Sequence, residues 1–410
     1  MDFNDTPEQS EFRAEVRSWL DANAKKKQPG ERAINRRLIS EKGLEVAREW
    51  QIKKADAGYA CMTFPREYGG QAAPIINQVI YEQEESKYNV PTGFFSIGLG
   101  MCAPTLIEYA TEEQKQRFVP PMVRGEEVWC QLFSEPGAGS DLAGLRTSAK
   151  RDGDDWVING QKVWTSGAHY SDYGILVTRH DTELAKHKGL TFFFLDMRSE
   201  GVEVRPIKQI SGASDFNEVY FTNVRIPDSQ RLGEVGSGWT VSLTTLMNER
   251  LAVGGAPPPD ATDLLDHARK VHLENGPAIA DSAVRDRIAD WYVEQQGLKH
   301  IRSRSLTALS RGETPGPEAS IAKVVSANKL QEVSSFGTDL LDVAGQIIDP
   351  EQAVSDAIFQ AGFYYAPGLR IAGGTDEILR NIIAERVLRL PGDIRVDRDR
   401  PFKDIPSGTS

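Results

Sequence analysis

Apolar side chains recur every three or four positions over the first third of the chain, and this period predicts helices. Thr6 followed by Pro7 marks the start of the first helix, since Ser/Thr caps and a proline at the first helical position are start signals. Its apolar stripe consists of Phe12, Val16, Trp19 and Leu20. The same pattern returns at 43–57, 75–88 and 112–124.

The middle third changes to the pattern of β-strands. Strand-like runs stand at 173–179, 190–197, 202–207 and 217–226. In "DDWVINGQKVWTSG", residues 154–167, the pair Asn159-Gly160 separates two β-rich runs, which predicts a hairpin turn at that pair. Short strands at close spacing predict a compact β-domain, either a barrel or a sandwich.

The last third returns to helical patterns, at 281–311, 318–345 and 375–390. We therefore expect an α+β multidomain protein. Its predicted parts are an N-terminal α-helical domain (1–125), a middle β-barrel domain (126–237), a C-terminal four-helix bundle (238–392) and a polar tail (393–410). The tail, rich in charged residues, is expected to be loosely held.

Composition narrows the class of protein. With 410 residues and a formal net charge of −11, the chain is unsuited to broad nucleic-acid or membrane binding. No apolar run is long enough to span a membrane, and the first residues carry no signal-peptide pattern. Cys61, Cys102 and Cys130 form no C-x-x-C pair, and the histidines lack ligand spacing, so we expect a cytoplasmic protein without a metal site.

Three stretches could carry chemistry, and each also has a purely structural explanation. "LFSEPGAGSDLAGLRTSA", 132–149, offers exposed amides and hydroxyls to a ligand, or is a connector into the β-domain. "GQKVWTSG" places Trp164 where it could wall a flat cofactor, or fill the core. In "LRIAGGTDEILRNIIAERVLRLPG", 369–392, Thr375 is an N-cap after the open Gly373-Gly374 pair, or the stretch simply caps a helix.

A fourth stretch, "TLMNERLAVGG" (245–255), sets a carboxylate among apolar neighbours. Its spacing predicts a helix with Leu243, Leu246, Met247 and Arg250 on one stripe. Glu249 lies on the adjacent face, where a carboxylate is costly unless it is paired, hydrated or used in chemistry.

In chain order, "FPREYGG", "SEPGAGSDLAGLRT", "NGQKVWTSG", "NERLAVGG" and "GGTDEILRNIIAERVLRLP" together resemble the acyl-CoA dehydrogenase family, over residues 5–392. The resemblance implies a helical domain, a β-barrel and a four-helix bundle. It also implies oxidation of an acyl-CoA thioester to the 2,3-enoyl-CoA, in which a carboxylate takes the α-proton and the β-hydrogen leaves as hydride to FAD.

The resemblance also suggests where the base lies. Many members carry it as a Glu two residues before the Thr of the last motif, a position that is Gly373 here. Isovaleryl-CoA and long-chain acyl-CoA dehydrogenases instead keep a Glu just before an Arg on a bundle helix, as in "NERLAVGG". The resemblance therefore implies that Glu249 is the base, the alternative being a helix Glu paired with a neighbouring cation.

Motif matching implies further site residues. The FAD-binding set is Gln131, Leu132, Phe133, Ser134, Gly139, Ser140, Trp164, Ser166, Thr375 and Glu377. The substrate-binding set is Ser140, Arg250, Gly373 and Gly374. Arg250 is expected to orient or support rather than to react.

Two departures from the family pattern affect the expected partners. "GGAPPPDATDLLDHARKVHLENG" interrupts the helix at Pro257–Pro259 and lacks the Arg-x-x-Phe-Gly run that binds FAD across subunits. The expected Gln-x-x-Gly-Gly run reads "LDVAG" at 341–345. These losses resemble a bacterial branch that acts on bulky ring-bearing or branched acyl-CoAs, including sterol side chains.

The resemblance implies three kinds of partner: an acyl-CoA, an electron acceptor such as electron-transfer flavoprotein, and further subunits. The assembly would be a homodimer, a homotetramer or an α2β2 heterotetramer. Two other functions stay open: a flavin-dependent oxidase or monooxygenase on the same fold, and a non-catalytic partner subunit of a heteromeric dehydrogenase.

Overall fold

A computed structural model of the protein describes residues 5–27, 41–91, 93–252, 259–310, 316, 319–392, 394, 397 and 399–406. Contacts group the chain into two compact units. The first takes in 1–209, 213–252 and 394–410, and the second takes in 210–212 and 253–393.

Five α-helices among the described residues precede the β-domain in the first unit. They are α1 (Pro7–Asn23), α2 (Glu41–Asp56), α3 (Ile75–Glu85), α4 (Ala103–Tyr109) and α5 (Glu112–Val123). The predicted start of α1 is confirmed, because the Gln9 amide donates to the Thr6 hydroxyl in a reciprocal capping box. The three later helical patterns are confirmed as α2, α3 and α5, whereas α4 was not predicted.

Eight strands form one sheet in the same unit. They are β1 (Trp129–Leu132), β2 (Ser148–Asp152), β3 (Asp155–Ser166), β4 (Tyr173–Arg179), β5 (Leu190–Asp196), β6 (Val202–Ile207), β7 (Phe216–Pro227) and β8 (Arg231–Leu232). The order is β6-β7-β3-β2-β4-β5-β8, with β1 parallel to β4. The predicted middle β-domain is confirmed, although no pairing among the described strands joins β6 to β8 into a closed barrel.

The hairpin predicted at Asn159-Gly160 is wrong. β3 runs straight through both residues, and the register shifts there by a bulge opposite β7. Glycine is required at position 160 (φ 153°) for a different reason. A Cβ there would lie 2.6 Å from the Cα of Thr147, the residue just before β2. The hairpin turn lies earlier, between Asp152 and Asp155, where Gly153 has a φ of 64°.

Two later segments also belong to the first unit. Helix α6 (Gly238–Ala252), predicted as the start of the bundle, packs on α4 through Thr245 and Thr105, whose hydroxyl oxygens lie 2.8 Å apart. The tail was expected to be loose, but residues 399–406 pack on the β-domain and Phe402 is buried there. An aromatic side chain and backbone hydrogen bonds hold a segment whose overall composition is polar.

The second unit is helical. It contains α7 (Ala261–Lys270), a two-residue-per-strand hairpin of β9 (His272–Leu273) and β10 (Gly276–Pro277), α8 (Ser282–Ser310), α9 (Ala319–Asp339), α10 (Ile358–Ile371) and α11 (Asp376–Ile382). Its main core includes Trp291, Val333 and Phe359. Pro257 and Pro258 of the predicted helix break lie outside the described residues. No helix within the described ranges is long and apolar enough to cross a membrane.

Candidate functional site

A bulge in β3 presents the most unusual side chain of the first unit. The register against β7 shifts between Lys162 and Thr165, so the intervening residues leave the ladder. Trp164 lies in this bulge with φ at 59°, a conformation that is rare and strained for a bulky residue. Its indole is 57% exposed and meets Phe216 edge-on at 6.0 Å between ring centroids. Bulges and strained residues of this kind concentrate at functional sites.

A buried ion pair anchors the strand beside this bulge. Lys162 Nζ donates to Glu135 Oε1 at 2.9 Å and to the Phe133 carbonyl at 2.9 Å. The same carboxylate accepts from the backbone amides of Arg146 (2.6 Å) and Thr147 (2.9 Å). Burial opposes its charge, but Lys162 and these donors outweigh that effect and hold the Glu135 pKa below its usual range. Burial lowers the pKa of Lys162.

The segment predicted to run along the flavin contacts the bulge through its backbone. The Val163 amide donates to the Ser134 carbonyl at 2.8 Å, so 131–134 and Trp164 lie side by side. Leu132 and Phe133 direct their side chains into two separate parts of the core. A ligand could therefore contact only the backbone of these two residues, whereas Gln131 and Ser134 keep half-buried side chains.

The glycine-rich loop that follows is open. Glu135 and Ala138 exchange two backbone hydrogen bonds of 3.0 Å, which closes a tight turn. A Cβ added at Gly137 or Gly139 would meet no atom of the described residues within 4 Å, and Ser140 is exposed. Such a loop lets backbone amides approach a phosphate or a polar ring edge. The turn borders a surface cavity of about 260 Å³ that reaches Arg146, Thr147 and Gly160.

A polar cluster next to the bulge was not predicted from the sequence. Asn217 on β7 is buried and donates from Nδ2 to the Thr165 carbonyl at 2.9 Å, while its Oδ1 lies 3.2 Å from His169 Nδ1. The hydroxyl of Thr165 is buried and has no hydrogen-bond partner among the described residues. Ser166 pairs with Phe216 across the same strands. Only the Asn in a β-rich run could have signalled this cluster, since such residues are depleted in strands.

Together these features fit a flavin. The isoalloxazine ring needs a flat apolar wall and nearby hydrogen-bonding groups, and its pyrophosphate needs a loop with free amides. Trp164 supplies an exposed aromatic face, and the 134–140 turn supplies the open loop. The Thr165 hydroxyl, which has no partner in the described part of the chain, offers a further polar group behind the bulge.

The last motif builds a second candidate site, in the second unit. Gly373 and Gly374 have φ values of 65° and 93°, and the Thr375 hydroxyl accepts from the Ile378 amide, which confirms the predicted N-cap of α11. Lys323 fixes this turn by donating to the Gly374 carbonyl at 2.7 Å. Glu377 is exposed on the first turn of α11.

An ion-pair cluster that the sequence did not reveal holds the same turn. Asp376 is buried and accepts from Arg370 Nε at 2.7 Å. Arg370 also donates to the Gln331 side chain at 2.9 Å. Within the second unit these contacts fix the loop that carries Gly373, Gly374, Thr375 and Glu377.

Helix α6 carries the predicted base. Its backbone is helical through Glu249 and Arg250, but the side chains of these two residues lie outside the described residues. Earlier on the same helix, Met247 is 57% exposed, and Leu243 is also exposed. The predicted stripe of Leu243, Leu246 and Met247 is therefore partly open to solvent. Among the described residues, no cluster of His, Cys, Asp or Glu side chains could hold a metal ion.

Comparison with known proteins agrees with this organisation. Family models described as the N-terminal, middle and C-terminal domains of acyl-CoA dehydrogenase match residues 6–126, 130–224 and 236–388. Acyl-CoA dehydrogenase IpdE1 of Mycolicibacterium smegmatis is 35% identical over 95% of this chain and 99% of its own length. Acyl-CoA dehydrogenase FadE34 of Mycobacterium tuberculosis is 38% identical over 83% of this chain, which spans only 46% of that longer protein.

Solved structures give the same result. The "Tcur3481-Tcur3483 steroid ACAD" superposes with a TM-score of 0.79 at 29% identity, covering 96% of this chain and 100% of that chain. The ChsE4-ChsE5 complex from Mycobacterium tuberculosis superposes with a TM-score of 0.75 at 28% identity, over 96% and 100% of the two chains. The three domain matches follow one another in order, and the 35% identity to IpdE1 extends over nearly the whole of both chains. These findings show that this chain belongs to the acyl-CoA dehydrogenase family.

Proposed function

We propose that the protein oxidises an acyl-CoA thioester to the 2,3-enoyl-CoA with FAD as its cofactor. The observation that carries this proposal is the bulge that exposes Trp164 beside the open 134–140 turn, in a chain of this family. When bound, the flavin supplies the acceptor for the hydride that leaves the β-carbon. The protein's part is to bind, to orient and to hold the proton.

The residues of the first unit are proposed to hold the flavin. Trp164 and Ser166 flank the ring, Gln131 to Ser134 run along its edge, and Gly139 and Ser140 meet the pyrophosphate. The backbone link from Val163 to Ser134 supports this assignment, because it fixes the spacing of the wall and the edge. Thr375 and Glu377 of the second unit are proposed to contact the nucleotide portion of FAD.

Glu249 is proposed to take the α-proton. General bases of this kind need a raised proton affinity, which removal from water provides. The apolar surface of Leu243 and Met247 on α6 supports a water-poor surrounding, since an acyl chain bound there would cover it. Gly373 leaves no carboxylate at the alternative position. We propose that Arg250, Gly373, Gly374 and Ser140 contact the acyl-CoA.

A bulky acyl group is the proposed substrate class. The support is the name of a structural relative, a steroid ACAD, and the absence of a side chain at Gly373 and Gly374. Structural relatives include a complex of two named chains, ChsE4 and ChsE5, so an oligomer is proposed, with a heterotetramer as one form. We also propose a cytoplasmic location, which the three free cysteines support. Electron-transfer flavoprotein is the proposed electron acceptor.

The test is anaerobic titration of the purified protein with a panel of acyl-CoAs. We expect yellow protein, release of free FAD by acid, and bleaching of the flavin by a ring-bearing acyl-CoA more rapidly than by straight-chain ones. Mass spectrometry should find a product lighter by two hydrogens. A protein that is still colourless once added, unbound FAD has been removed would exclude catalysis by this chain alone. Rapid reoxidation of the reduced flavin by oxygen would indicate an oxidase instead.

A further inference from the structure

The tail segment, defined as residues 397 and 399–406, attaches to the connection between β4 and β5. Pro401 forms a bridge with Ala185. The Phe402 amide donates to the Leu184 carbonyl at 2.9 Å, and the Lys403 amide donates to the Thr182 carbonyl at 3.0 Å. A short 3₁₀ turn, Phe402–Asp404, follows this contact. The segment is therefore bound along its backbone as well as by its side chains.

The first side-chain attachment passes through a buried arginine. The guanidinium of Arg179 lies 3.5 Å from the centroid of the Phe402 ring. Two of its donors reach the glycine-rich loop: Nε donates to the Leu145 carbonyl at 3.0 Å and Nη2 donates to the Ala143 carbonyl at 2.5 Å. Nη1 donates to the Lys186 carbonyl at 3.1 Å. Burial lowers the pKa of Arg179 to about 10, so it stays charged at neutral pH and the ring face stabilises that charge.

The second attachment passes through a buried lysine. Lys186 Nζ donates to both carboxylate oxygens of Asp141, at 2.9 and 3.0 Å, and also contacts the carboxylate of Asp397. Burial opposes the charge of Lys186, but the two carboxylates outweigh it and raise its pKa. Asp141 directly follows Ser140. Each of the two cations thus lies between the tail segment and the loop of residues 139–147.

We propose that the tail segment is a clasp that positions the loop of residues 139–147 for the pyrophosphate of FAD, with Phe402 and Asp397 as its positioning residues. This inference rests on the proposed function of that loop. Gly139 is open, and ordering an open loop costs conformational entropy at the moment of binding. A loop held in place beforehand does not carry that cost, so it binds more tightly.

The test compares Phe402→Leu and Asp397→Asn with the wild-type full-length chain. Phe402→Leu keeps an apolar side chain but removes the ring face under Arg179. Phe402→Tyr retains that face and should behave as wild type. Lys403→Met is the matched control, because Lys403 pairs with Glu183 and contacts neither cation. Two quantities are measured: the dissociation constant of FAD by flavin fluorescence, and amide hydrogen exchange across 139–147 in the flavin-free protein.

We expect FAD binding about tenfold weaker in Phe402→Leu and Asp397→Asn, and faster exchange across the loop, with Lys403→Met unchanged. FAD affinities within twofold of wild type in both folded variants would overturn the clasp and leave the segment a simple cover. If the wild-type protein binds no FAD, the proposed function fails instead. Loop exchange then decides the clasp by itself, and equal exchange in all variants overturns it.

Discussion

Lys162 and Glu135 form an ion pair of 2.9 Å inside the β-domain, and Lys162 is fully buried two residues before Trp164. Lys162→Met should destabilise the protein by about 3–5 kcal/mol, because it leaves the Glu135 carboxylate buried without its cation. The double variant Lys162→Met/Glu135→Gln should recover much of that loss, since neither position of the pair then carries a buried charge. Thermal melts measure both changes.

The control for this experiment is Arg205→Met, which breaks the exposed pair with Glu203 and should change stability by less than about 1 kcal/mol. A double variant no more stable than Lys162→Met would contradict the explanation by an uncompensated charge.

Trp164 combines backbone strain with an exposed ring. Trp164→Gly should leave the melting temperature of the flavin-free protein unchanged or higher, because glycine adopts a φ near 59° without the cost of about 1 kcal/mol paid by other residues. The same change should weaken FAD binding about tenfold or more, since it removes the flat wall. Trp164→Phe, which keeps a ring, should bind FAD nearly as well as wild type. Flavin fluorescence gives the affinities, and equal affinity in the glycine variant would remove Trp164 from the site.

The Glu249→Gln variant tests the proposed base. Folding, FAD binding and acyl-CoA binding should survive, because glutamine keeps the size of the side chain. Reduction of the flavin should slow by at least about a hundredfold, the usual result of losing a general base. Stopped-flow absorbance under anaerobic conditions measures that rate. Glu234→Gln, the loss of an exposed carboxylate just before α6, is the matched control and should reduce at the wild-type rate. Near-normal reduction in Glu249→Gln would end the assignment.

The sequence was most informative where local signals determine structure. The cap at Thr6 and the helices at 43–57, 75–88 and 112–124 follow from side-chain spacing and capping chemistry alone. Helix α10 was not predicted, because Gly362, Pro367 and Gly368 are residues that disfavour a helix. Packing overrides that preference: Phe359 on α10 lies so close to Gly337 on α9 that a Cβ there would be 2.2 Å from its ring.

In the candidate site, too, local sequence signals were predictable and long-range contacts were not. Trp164 and the glycine-rich turn were visible as motifs, but the bulge that exposes the indole depends on pairing with β7. The contacts of Arg179 and Lys186 with the tail segment join residues more than two hundred positions apart, and no spacing in the sequence encodes them.

Variants at Gly160 test whether the close approach of β3 to Thr147 requires a glycine. Gly160→Ala should destabilise the protein by more than about 2 kcal/mol, because its Cβ would collide with the Thr147 backbone. Gly153→Ala has a positive φ but open space, so it isolates conformational strain and should cost about 1 kcal/mol. Equal melting temperatures for the two variants would show that the close approach at Gly160 can relax.

The stability of the protein should decrease in acid partly because of Glu84, a residue of α3 that pairs with arginines on α1. Its carboxylate is 1% exposed and pairs with Arg13 (3.1 Å), Arg17 (3.2 Å) and Lys87 (2.7 Å). Burial alone would raise its pKa, but the three cations outweigh burial and lower the pKa to about 2. Because the folded pKa lies below the unfolded one, the stabilisation is present above about pH 4.5 and is lost as the pH falls toward 2.

Glu84→Gln should therefore lower stability by about 2 kcal/mol near neutral pH, and the deficit should shrink by more than half near pH 3. Thermal melts of both proteins across this range measure the change. Glu82→Gln, which changes an exposed carboxylate on the same helix that accepts from Gln78, should have little effect at either pH. A deficit for Glu84→Gln that stays constant from neutral to acid pH would show that the side chain contributes through packing, because packing does not depend on its charge.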